Sequence, residues 1–442
     1  SHFFHKEYQS LIRSTWSIFL FWLPLSAQWL MMATEGPFLA AVIARLADPT
    51  INLAAYGVAF AFAILIESPV IMLMSASTAL VTNSQTYSKL RNFMHVMNAT
   101  ATAFLLIVLI PFVYEWLTIR LLGLPPEITR LTYGALWILL PWPSAIGYRR
   151  FLHGLLIRAG HTRLLAYGTT LRLGVMILTA ISLYTLWDWP GAWIGAASLS
   201  LGVTAEALVA RIMATKTLKD LNTNKNLSTT NVDDKLNYLE IVKFYYPLAL
   251  TSFISLTVQP LLTFLMGRAP SPLESLAVFP VVHSLSFFFR SFGLSYQEVA
   301  LAVLQENREN FPRLARFALW LGLATSLGIA SIAFTPFTII WFEQIAGLRP
   351  ELTGLASTSL KILVPVPALS VFLSFLRSIY IQARMTSLIT TATVVEVLTL
   401  AILFILLGWT LDMPGVIAAF SAFLGGRLAG VLFLLKDIKN VN

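Results

Sequence analysis

Cysteine is absent from the 442 residues, and this absence excludes a disulfide framework, a thiolate metal site and a thiol nucleophile. Charged residues make up only 12% of the chain, whereas soluble domains carry about 25%. The sequence also lacks a phosphate-cradling P-loop, an HExxH motif and a nucleophile elbow. It therefore supports neither ATP-driven transport nor an enzyme, and we expect no cofactor and no metal.

The chain is instead rich in apolar residues, which make up 57% of it, and its mean hydropathy is +0.75. A transmembrane helix needs about 20 largely apolar residues. By that criterion we predict an all-α polytopic membrane protein whose partner is the lipid bilayer. The twelve predicted spans cover residues 14–43, 52–82, 93–116, 130–156, 163–186, 191–213, 240–266, 273–304, 313–340, 354–380, 386–408 and 414–436.

Lysine and arginine are distributed unevenly between the loops, and this bias predicts the orientation of the chain. With the N-terminus inside, most of these cations fall on the cytoplasmic side, so both termini are predicted to be cytoplasmic. The same placement accounts for the net charge of +9 without nucleic acid as a partner. Short loops and compact termini favour a prokaryotic inner (plasma) membrane, and we expect a monomer.

The chain contains one pattern twice. Residues 138–143 read ILLPWP and residues 362–367 read ILVPVP, an offset of 224. The same offset relates residues 188–191 (DWPG) to residues 412–415 (DMPG). Duplication in a membrane protein is typical of two helix bundles that rock about a central site. Transport is therefore the leading interpretation.

The duplication predicts two pseudo-symmetric lobes of six helices each, related by an axis along the membrane normal. We place the N-terminal lobe at residues 1–213 and the C-terminal lobe at residues 238–442. Residues 214–237 are polar and lack hydrophobic periodicity. They are predicted to form a flexible cytoplasmic linker.

Several ionisable residues fall at membrane depth, where each costs about 3 kcal/mol on insertion scales. Equivalent positions of the repeat carry opposite charges, since Glu67 matches Arg290 and Arg172 matches Glu396. We infer that these positions face a shared central cavity; alternatively, they form buried ion pairs that fix helix packing. The full set is Glu35, Glu67, Arg149, Arg150, Arg172, Glu206, Arg290, Lys361, Arg377 and Glu396.

Prolines and histidines also lie within the predicted spans. Proline removes a backbone hydrogen bond, so the Pro-x-Pro sequences that begin at Pro141 and Pro365 predict kinked or opened helices. His153 and His283 have no partner at metal-ligand spacing. Each is expected to form hydrogen bonds inside its bundle, and a proton relay is the alternative.

Three segments carry a family resemblance: residues 53–59 (LAAYGVA), 246–250 (YPLAL) and 279–283 (FPVVH). They resemble the progressive ankylosis protein family of the multidrug/oligosaccharidyl-lipid/polysaccharide (MOP) flippase superfamily. The resemblance implies a MATE-like bundle around a V-shaped central cavity, and export of small anions such as citrate, pyrophosphate or ATP. Gln259 stands where that family has an arginine, so this chain lacks one of the family's cations.

Together these features predict a secondary transporter that exports a small organic or phosphorylated anion by alternating access. The anion is expected in the cleft between the lobes. The predicted substrate-binding residues are Arg172, Arg290, Lys361 and Gln259, with Arg149, Arg150 and Arg377 as a funnel at the cytoplasmic end. The residues predicted to hold these cations in the empty protein, or to carry coupling H⁺ or Na⁺, are Glu35, Glu67, Glu206, Glu396 and His283.

Two alternatives remain open within the same superfamily. One is a flippase for a lipid-linked precursor, and the other is a cation-coupled multidrug antiporter whose carboxylates bind the substrate directly. The charge count argues against the antiporter, because six arginines or lysines outnumber four glutamates among the internal charges.

Overall fold

The computed structural model describes residues 15–81, 83–159, 161, 163–223, 237–306, 311–383 and 385–437. Within these residues every regular element is a helix, and none is a strand. Part of the predicted linker lies outside the described residues, namely residues 224–236. The beginning of that linker is a short α-helix, Thr215–Thr223.

Several helices of the first half begin at residues that favour a helix N-terminus. The Asn83 side chain accepts hydrogen bonds from the backbone N–H groups of Gln85 and Thr86 and so caps the helix that follows. Pro111 and Pro126 each occupy a first turn, where the missing N–H is not needed. The helices are α1 (Thr15–Ile43), α2 (Pro49–Glu67), α3 (Leu73–Leu80), α4 (Ser84–Val108), α5 (Pro111–Glu115), α6 (Pro126–Ile138), α7 (Trp142–Arg158), α8 (Arg163–Leu186), α9 (Gly191–Met213) and α10 (Thr215–Thr223), with a π-helix at Trp116–Leu121.

The second half follows a similar order, except that its first span is broken, its second is continuous and it has an additional π-helix. Asn237 and Glu240 form a capping box at the start of its first helix. The helices are α11 (Tyr238–Leu256), α12 (Val258–Met266), α13 (Pro272–Glu306), α14 (Phe311–Ala333), α15 (Phe337–Ile339), α16 (Pro350–Leu363), α17 (Val366–Gln382), α18 (Thr386–Phe404) and α19 (Gly415–Asp437), with π-helices at Ile340–Ile345 and Ile405–Thr410.

The predicted offset of 224 is visible in the backbone. The π-helices Trp116–Leu121 and Ile340–Ile345 are 224 residues apart. Gly123 and Gly347, also 224 apart, both adopt the left-handed conformation, with φ of 69° and 73°. A glycine suits that conformation because it has no Cβ to clash. The duplicated sequence therefore folds into duplicated local structure.

Nine helices of the described residues are long and apolar enough to cross a membrane. The count is ten if α4 and the segment Pro111–Leu121, which are bent by 73° at their junction, form one span. The other two predicted spans correspond to α1, which contains the apolar segment Trp29–Ile43, and to the pair α6 and α7. The twelve predicted spans thus all have helical counterparts.

Several predicted spans are not continuous helices, and in three of them the break lies at Pro69, Pro141 or Pro365. Residues 52–82 are interrupted after Glu67, at Pro69, and the chain resumes a helix at Leu73. Residues 130–156 and 354–380 are interrupted at Pro141 and Pro365, each of which precedes the next helix as its N-cap. Proline cannot donate the backbone hydrogen bond that a continuous helix requires. The predicted opening at the Pro-x-Pro sequences is confirmed.

Backbone packing divides the described residues into two compact units. The N unit is Val58–Pro260, and the C unit combines Ser1–Gly57 with Leu261–Asn442, as far as these are described. The first helix of each half is grouped with the opposite half: α1 packs on α13 within the C unit, and α11 packs on α4 within the N unit. The lobe boundaries 1–213 and 238–442 follow the covalent repeat, and they stay a prediction.

Candidate functional site

Glu206 lies at the centre of a charged cluster in the N unit. It is on α9 and is 0% exposed. Its Oε2 accepts a hydrogen bond of 2.6 Å from Nη1 of Arg149, and Nη1 of Arg172 lies 3.7 Å from the same oxygen. Nε2 of His153 lies 3.8 Å from Oε1. Three basic side chains thus surround one buried carboxylate, and we call this group the Glu206 cluster.

Helix geometry explains why these side chains meet. Arg149 and His153 are four residues apart on α7 and therefore share one face of that helix. Gly202 allows α9 to approach α8 closely, because a Cβ at that position would lie 3.2 Å from the carbonyl oxygen of Arg172. The close approach brings Glu206, one turn further along α9, against the arginine.

Glu67 is a second buried carboxylate of the N unit. It is the last residue of α2, and its Oε2 accepts a hydrogen bond of 2.5 Å from Nε1 of Trp142. It interacts electrostatically with Arg149, Arg150 and Arg172. Three arginines and two glutamates leave a net charge of 3 − 2 = +1 in this part of the N unit. Most of the positive charge here is therefore neutralised by the protein itself.

Glu396 is the carboxylate of a second cluster, which lies in the C unit. It is buried on α18, and its Oε1 lies 3.2 Å from Nε of Arg427 on α19. The guanidinium of Arg427 lies over the ring of Phe423 at 5.2 Å, and that of Arg290 lies over the same ring at 5.0 Å. Cations are attracted to the face of an aromatic ring, so one phenyl ring helps to hold two arginines.

Arg377 completes this second group. It lies on α17, and its Nη2 donates a hydrogen bond of 3.4 Å to Oγ1 of Thr393. Both Arg377 and Arg290 interact electrostatically with Glu396 and with Arg427. We call Arg290, Arg377, Arg427 and Glu396 the arginine cluster.

The arginine cluster has an excess of positive charge and of hydrogen-bond donors. Three arginines and one glutamate give 3 − 1 = +2. The Nε atoms of Arg290 and Arg377 are buried and have no hydrogen-bond acceptor among the described residues, whereas Nε of Arg427 forms an ion pair with Glu396 without hydrogen-bond geometry. Unmet buried donors are rare in folded proteins, and a bound water or ion is one explanation for them. The cluster therefore has the charge and the donors that an anion requires.

Two glycines set the position of Arg427. A Cβ on Gly426 would lie 2.7 Å from the carbonyl oxygen of Glu396, and one on Gly430 would lie 3.4 Å from its Cβ. The sequence Gly425-Gly426 therefore allows α19 to pack directly on the backbone of α18, as small residues do in membrane helices. The arginine next to this crossing is brought to the carboxylate as a consequence.

His283 supports Arg290 on the same helix, α13. Its Nε2 lies 3.2 Å from Nη2 of the arginine, and its ring stacks on Phe279 at 5.3 Å. A guanidinium donates and cannot accept, so this hydrogen bond requires an imidazole nitrogen without a proton. His283 therefore forms a hydrogen bond within its own bundle, as the sequence analysis expected.

The remaining predicted site residues are Glu35, Gln259 and Lys361. Glu35 is buried on α1, beside Gly36, whose Cβ position is 2.7 Å from Cβ of Ser284. Gln259 is half-buried near the start of α12. Lys361 is exposed on α16, with Nζ 5.9 Å from the ring centre of Phe334 and a cavity of about 370 Å³ beside it.

Sequence reasoning missed Arg427, Trp142 and Phe423. Arg427 carried a usable signal, since it lies in the middle of the predicted span 414–436 and directly follows two glycines. Trp142 and Phe423 carried none, because apolar aromatic residues are ordinary in such spans. No group of three or more histidine or acidic side chains in the described part of the chain is arranged to hold a metal ion.

No protein-family profile and no curated protein matches this sequence. Solved structures do match. An inward-facing multidrug resistance MATE family transporter of the MOP superfamily gives a TM-score of 0.67 at 16% identity, over 94% of both chains. The lipid II flippase MurJ, in an inward closed conformation, gives 0.72 at 15% identity, over 94% of this chain and 87% of the flippase.

A third match is a MOP superfamily transporter from Pyrococcus furiosus, whose binding pocket is described as having reverse polarity that suggests a different function. Its TM-score is 0.61 at 14% identity, over 98% of this chain and 97% of that one. Identities this low show the fold alone. The chain has a MATE-like, all-helical fold with helices long and apolar enough to cross a membrane, which confirms the predicted fold class. The narrower resemblance to the progressive ankylosis family stays a prediction.

Proposed function

We propose that this protein is a secondary transporter that exports a small organic or phosphorylated anion by alternating access. The observation that carries the proposal is the arginine cluster, with its net charge of 3 − 1 = +2 and with the buried Nε–H groups of Arg290 and Arg377, which have no acceptor among the described residues. Guanidinium groups match carboxylate and phosphate oxygens in both charge and geometry. The resemblance to the progressive ankylosis family points to the same class of substrate.

The proposal places the anion at Arg290, Arg377 and Arg427 instead of at Arg172. Arg172 and Arg149 both face Glu206, which is fully buried, and both interact with Glu67, so most of their charge is already neutralised within the protein. Lys361 is exposed on α16, and we assign it no part in binding. A buried ion pair such as that of Glu206 fits a structural role better than a binding role.

Coupling to H⁺ or Na⁺ requires a carboxylate at membrane depth. We assign this part of the mechanism to Glu35 and Glu67, which are buried at 6% and 8% exposure. We further propose that the protein works as a monomer in a prokaryotic inner membrane, with both termini cytoplasmic, as the loop charges predict.

A flippase for a lipid-linked precursor is the second candidate. The match to the lipid II flippase MurJ, at a TM-score of 0.72, favours it. A phosphate-bearing lipid headgroup offers the arginine cluster the same anionic oxygens as a soluble phosphate does. The cation-coupled multidrug antiporter has less support, because Glu206 and Glu396 each face arginine and are not available to a cationic substrate.

The test is transport in proteoliposomes. Labelled citrate, pyrophosphate and ATP are offered to wild-type protein and to Arg290→Gln and Arg377→Gln, with and without a proton or sodium gradient. Arg211→Gln is the matched control, since it removes the same charge from an exposed position on α9. We expect flux of one anion that both cluster variants lower at least about ten-fold, equivalent to losing about 1.4 kcal/mol of binding.

If folded wild-type protein transports none of the three anions, the anion proposal is contradicted. The same proteoliposomes would then be assayed for flipping of a labelled phosphate-bearing lipid. Flipping that depends on Arg290 and Arg377 would favour the second candidate.

A further inference from the structure

The ion pair between Glu396 and Arg427 differs from the pair between Glu206 and Arg149. Nη1 of Arg149 donates a hydrogen bond of 2.6 Å to a carboxylate with no exposed surface. Nε of Arg427 lies 3.2 Å from Glu396 without hydrogen-bond geometry, and the Arg427 side chain is 15% exposed. Charge-assisted hydrogen bonds are about twice as strong as neutral ones, and the pair between Glu396 and Arg427 lacks such a bond, so it is stabilised less. Of the two pairs, that of Glu396 is the easier to separate.

Glu396 is also the only carboxylate that the described contacts place within the arginine cluster. In the empty protein it offers these three guanidiniums the kind of oxygen that a substrate carboxylate or phosphate would offer. An anion that enters the cluster competes with Glu396 for Arg427, and it is repelled by the glutamate's own charge. Binding is therefore opposed by the protein for as long as the pair is intact.

We propose that Glu396 is an internal counter-anion that the transported anion displaces from Arg427. The inference rests on the proposed anion transport and adds the class of substrate. A cluster with a net charge of 3 − 1 = +2 is neutralised by an anion with two negative charges. A monovalent anion supplies only one and gains less attraction from the three arginines. The excess of arginine in the cluster thus favours multivalent anions such as pyrophosphate or citrate over monovalent ones such as acetate.

The test measures binding, at constant pH and ionic strength, by titration calorimetry on the full-length protein in detergent. Pyrophosphate, citrate and acetate are titrated into wild type, Glu396→Gln and Glu351→Gln. The last variant makes the same isosteric change at an exposed carboxylate at the start of α16. We expect Glu396→Gln to lower the Kd for pyrophosphate or citrate about ten-fold. The Kd for acetate should fall less, because the repulsion that is removed scales with the charge of the ligand, and Glu351→Gln should match wild type.

Unchanged or weaker binding by Glu396→Gln, with wild-type binding intact, would overturn the counter-anion role and leave anion transport standing. Binding of none of the three anions by wild type would overturn both. If Glu396→Gln does not fold, Glu396→Asp replaces it in the test. This variant keeps the negative charge, and its shorter side chain holds the carboxylate further from Arg427. It should bind pyrophosphate or citrate more tightly than wild type, and equal or weaker binding would count against the proposal.

Discussion

Arg172 and Glu396 occupy equivalent positions 224 residues apart, and the carbonyl oxygen of each lies against a glycine of the following span. A Cβ would lie 3.2 Å from the first oxygen at Gly202 and 2.7 Å from the second at Gly426. Gly202 and Gly426 are themselves 224 residues apart. The two halves thus keep one helix crossing, while the side chain at the crossing is a cation in one half and an anion in the other.

The glycine at the second crossing is expected to resist substitution. Gly426→Ala would place its Cβ 2.7 Å from the Glu396 carbonyl and 3.0 Å from Cβ of Leu400. Overpacking of this kind costs about 1–3 kcal/mol, so we expect a lower melting temperature in detergent. Gly354→Ala is the matched control in the same unit, since nothing lies within 4 Å of its Cβ position. Equal melting temperatures for the two variants would refute this account of the crossing.

The Glu206 cluster is expected to contribute stability. Glu206→Leu leaves Arg149 buried without its partner, and removing one member of a buried pair costs about 3–5 kcal/mol. Replacing both residues by apolar ones removes that uncompensated charge. The double variant Arg149→Met/Glu206→Leu should therefore lose less stability than the sum of the single variants in denaturant titrations. Additive losses would mean that the pair is not coupled.

Trp142 is expected to stabilise Glu67 through its indole N–H. Trp142→Phe keeps an aromatic side chain, although a smaller one, and removes the N–H donor, which leaves a buried carboxylate oxygen without its 2.5 Å hydrogen bond. Such a loss costs about 1–3 kcal/mol. Trp137→Phe is the control, because that side chain is exposed. The comparison is made by thermal unfolding, and a loss in Trp137→Phe as large as in Trp142→Phe would contradict the role of the hydrogen bond.

We expect position 347 to require glycine for two reasons: its backbone is left-handed, and Arg45 leaves no room for a Cβ. Its φ is 73°, and a Cβ would lie 3.0 Å from Nη1 of Arg45. The Arg45 guanidinium also donates to the carbonyl oxygens of Gln344 and Ile345, at 2.5 and 2.6 Å. A left-handed backbone alone costs an alanine about 1–2 kcal/mol, so Gly347→Ala should unfold at a lower temperature than wild type. In an Arg45→Ala background the same change should have a smaller effect, because only the backbone cost remains.

The fold was largely predictable from the sequence. Apolar runs identify spans because each must be about 20 residues long to cross lipid. The internal repeat can be recognised where proline and glycine recur at the same offset, as at Pro141 and Pro365. The breaks at those prolines followed from the missing N–H. The grouping of α1 with the second half did not follow, because no local pattern states which helix face meets which neighbour.

The candidate site was only partly predictable. Charges at membrane depth identified Arg290, Arg377 and Glu396, since burying them without a partner is unfavourable. The same reasoning placed Arg172 with the substrate, whereas the fold places it against Glu206 at 3.7 Å. A single sequence shows that a charge is buried, but it does not show which other charge lies across the helix crossing.

By itself, the sequence determined that this chain spans a membrane, that it is built twice, and that it carries ionised groups where lipid would exclude them. These properties depend on composition and on spacing along one helix. Tertiary structure decided which charges neutralise one another and which remain in excess. Where a glycine lets two helices cross closely, as Gly426 does against Glu396, the crossing sets the distance and rotation between the helices. Those two quantities bring Nε of Arg427 to 3.2 Å from the carboxylate of Glu396, although the two residues are 31 positions apart in the chain.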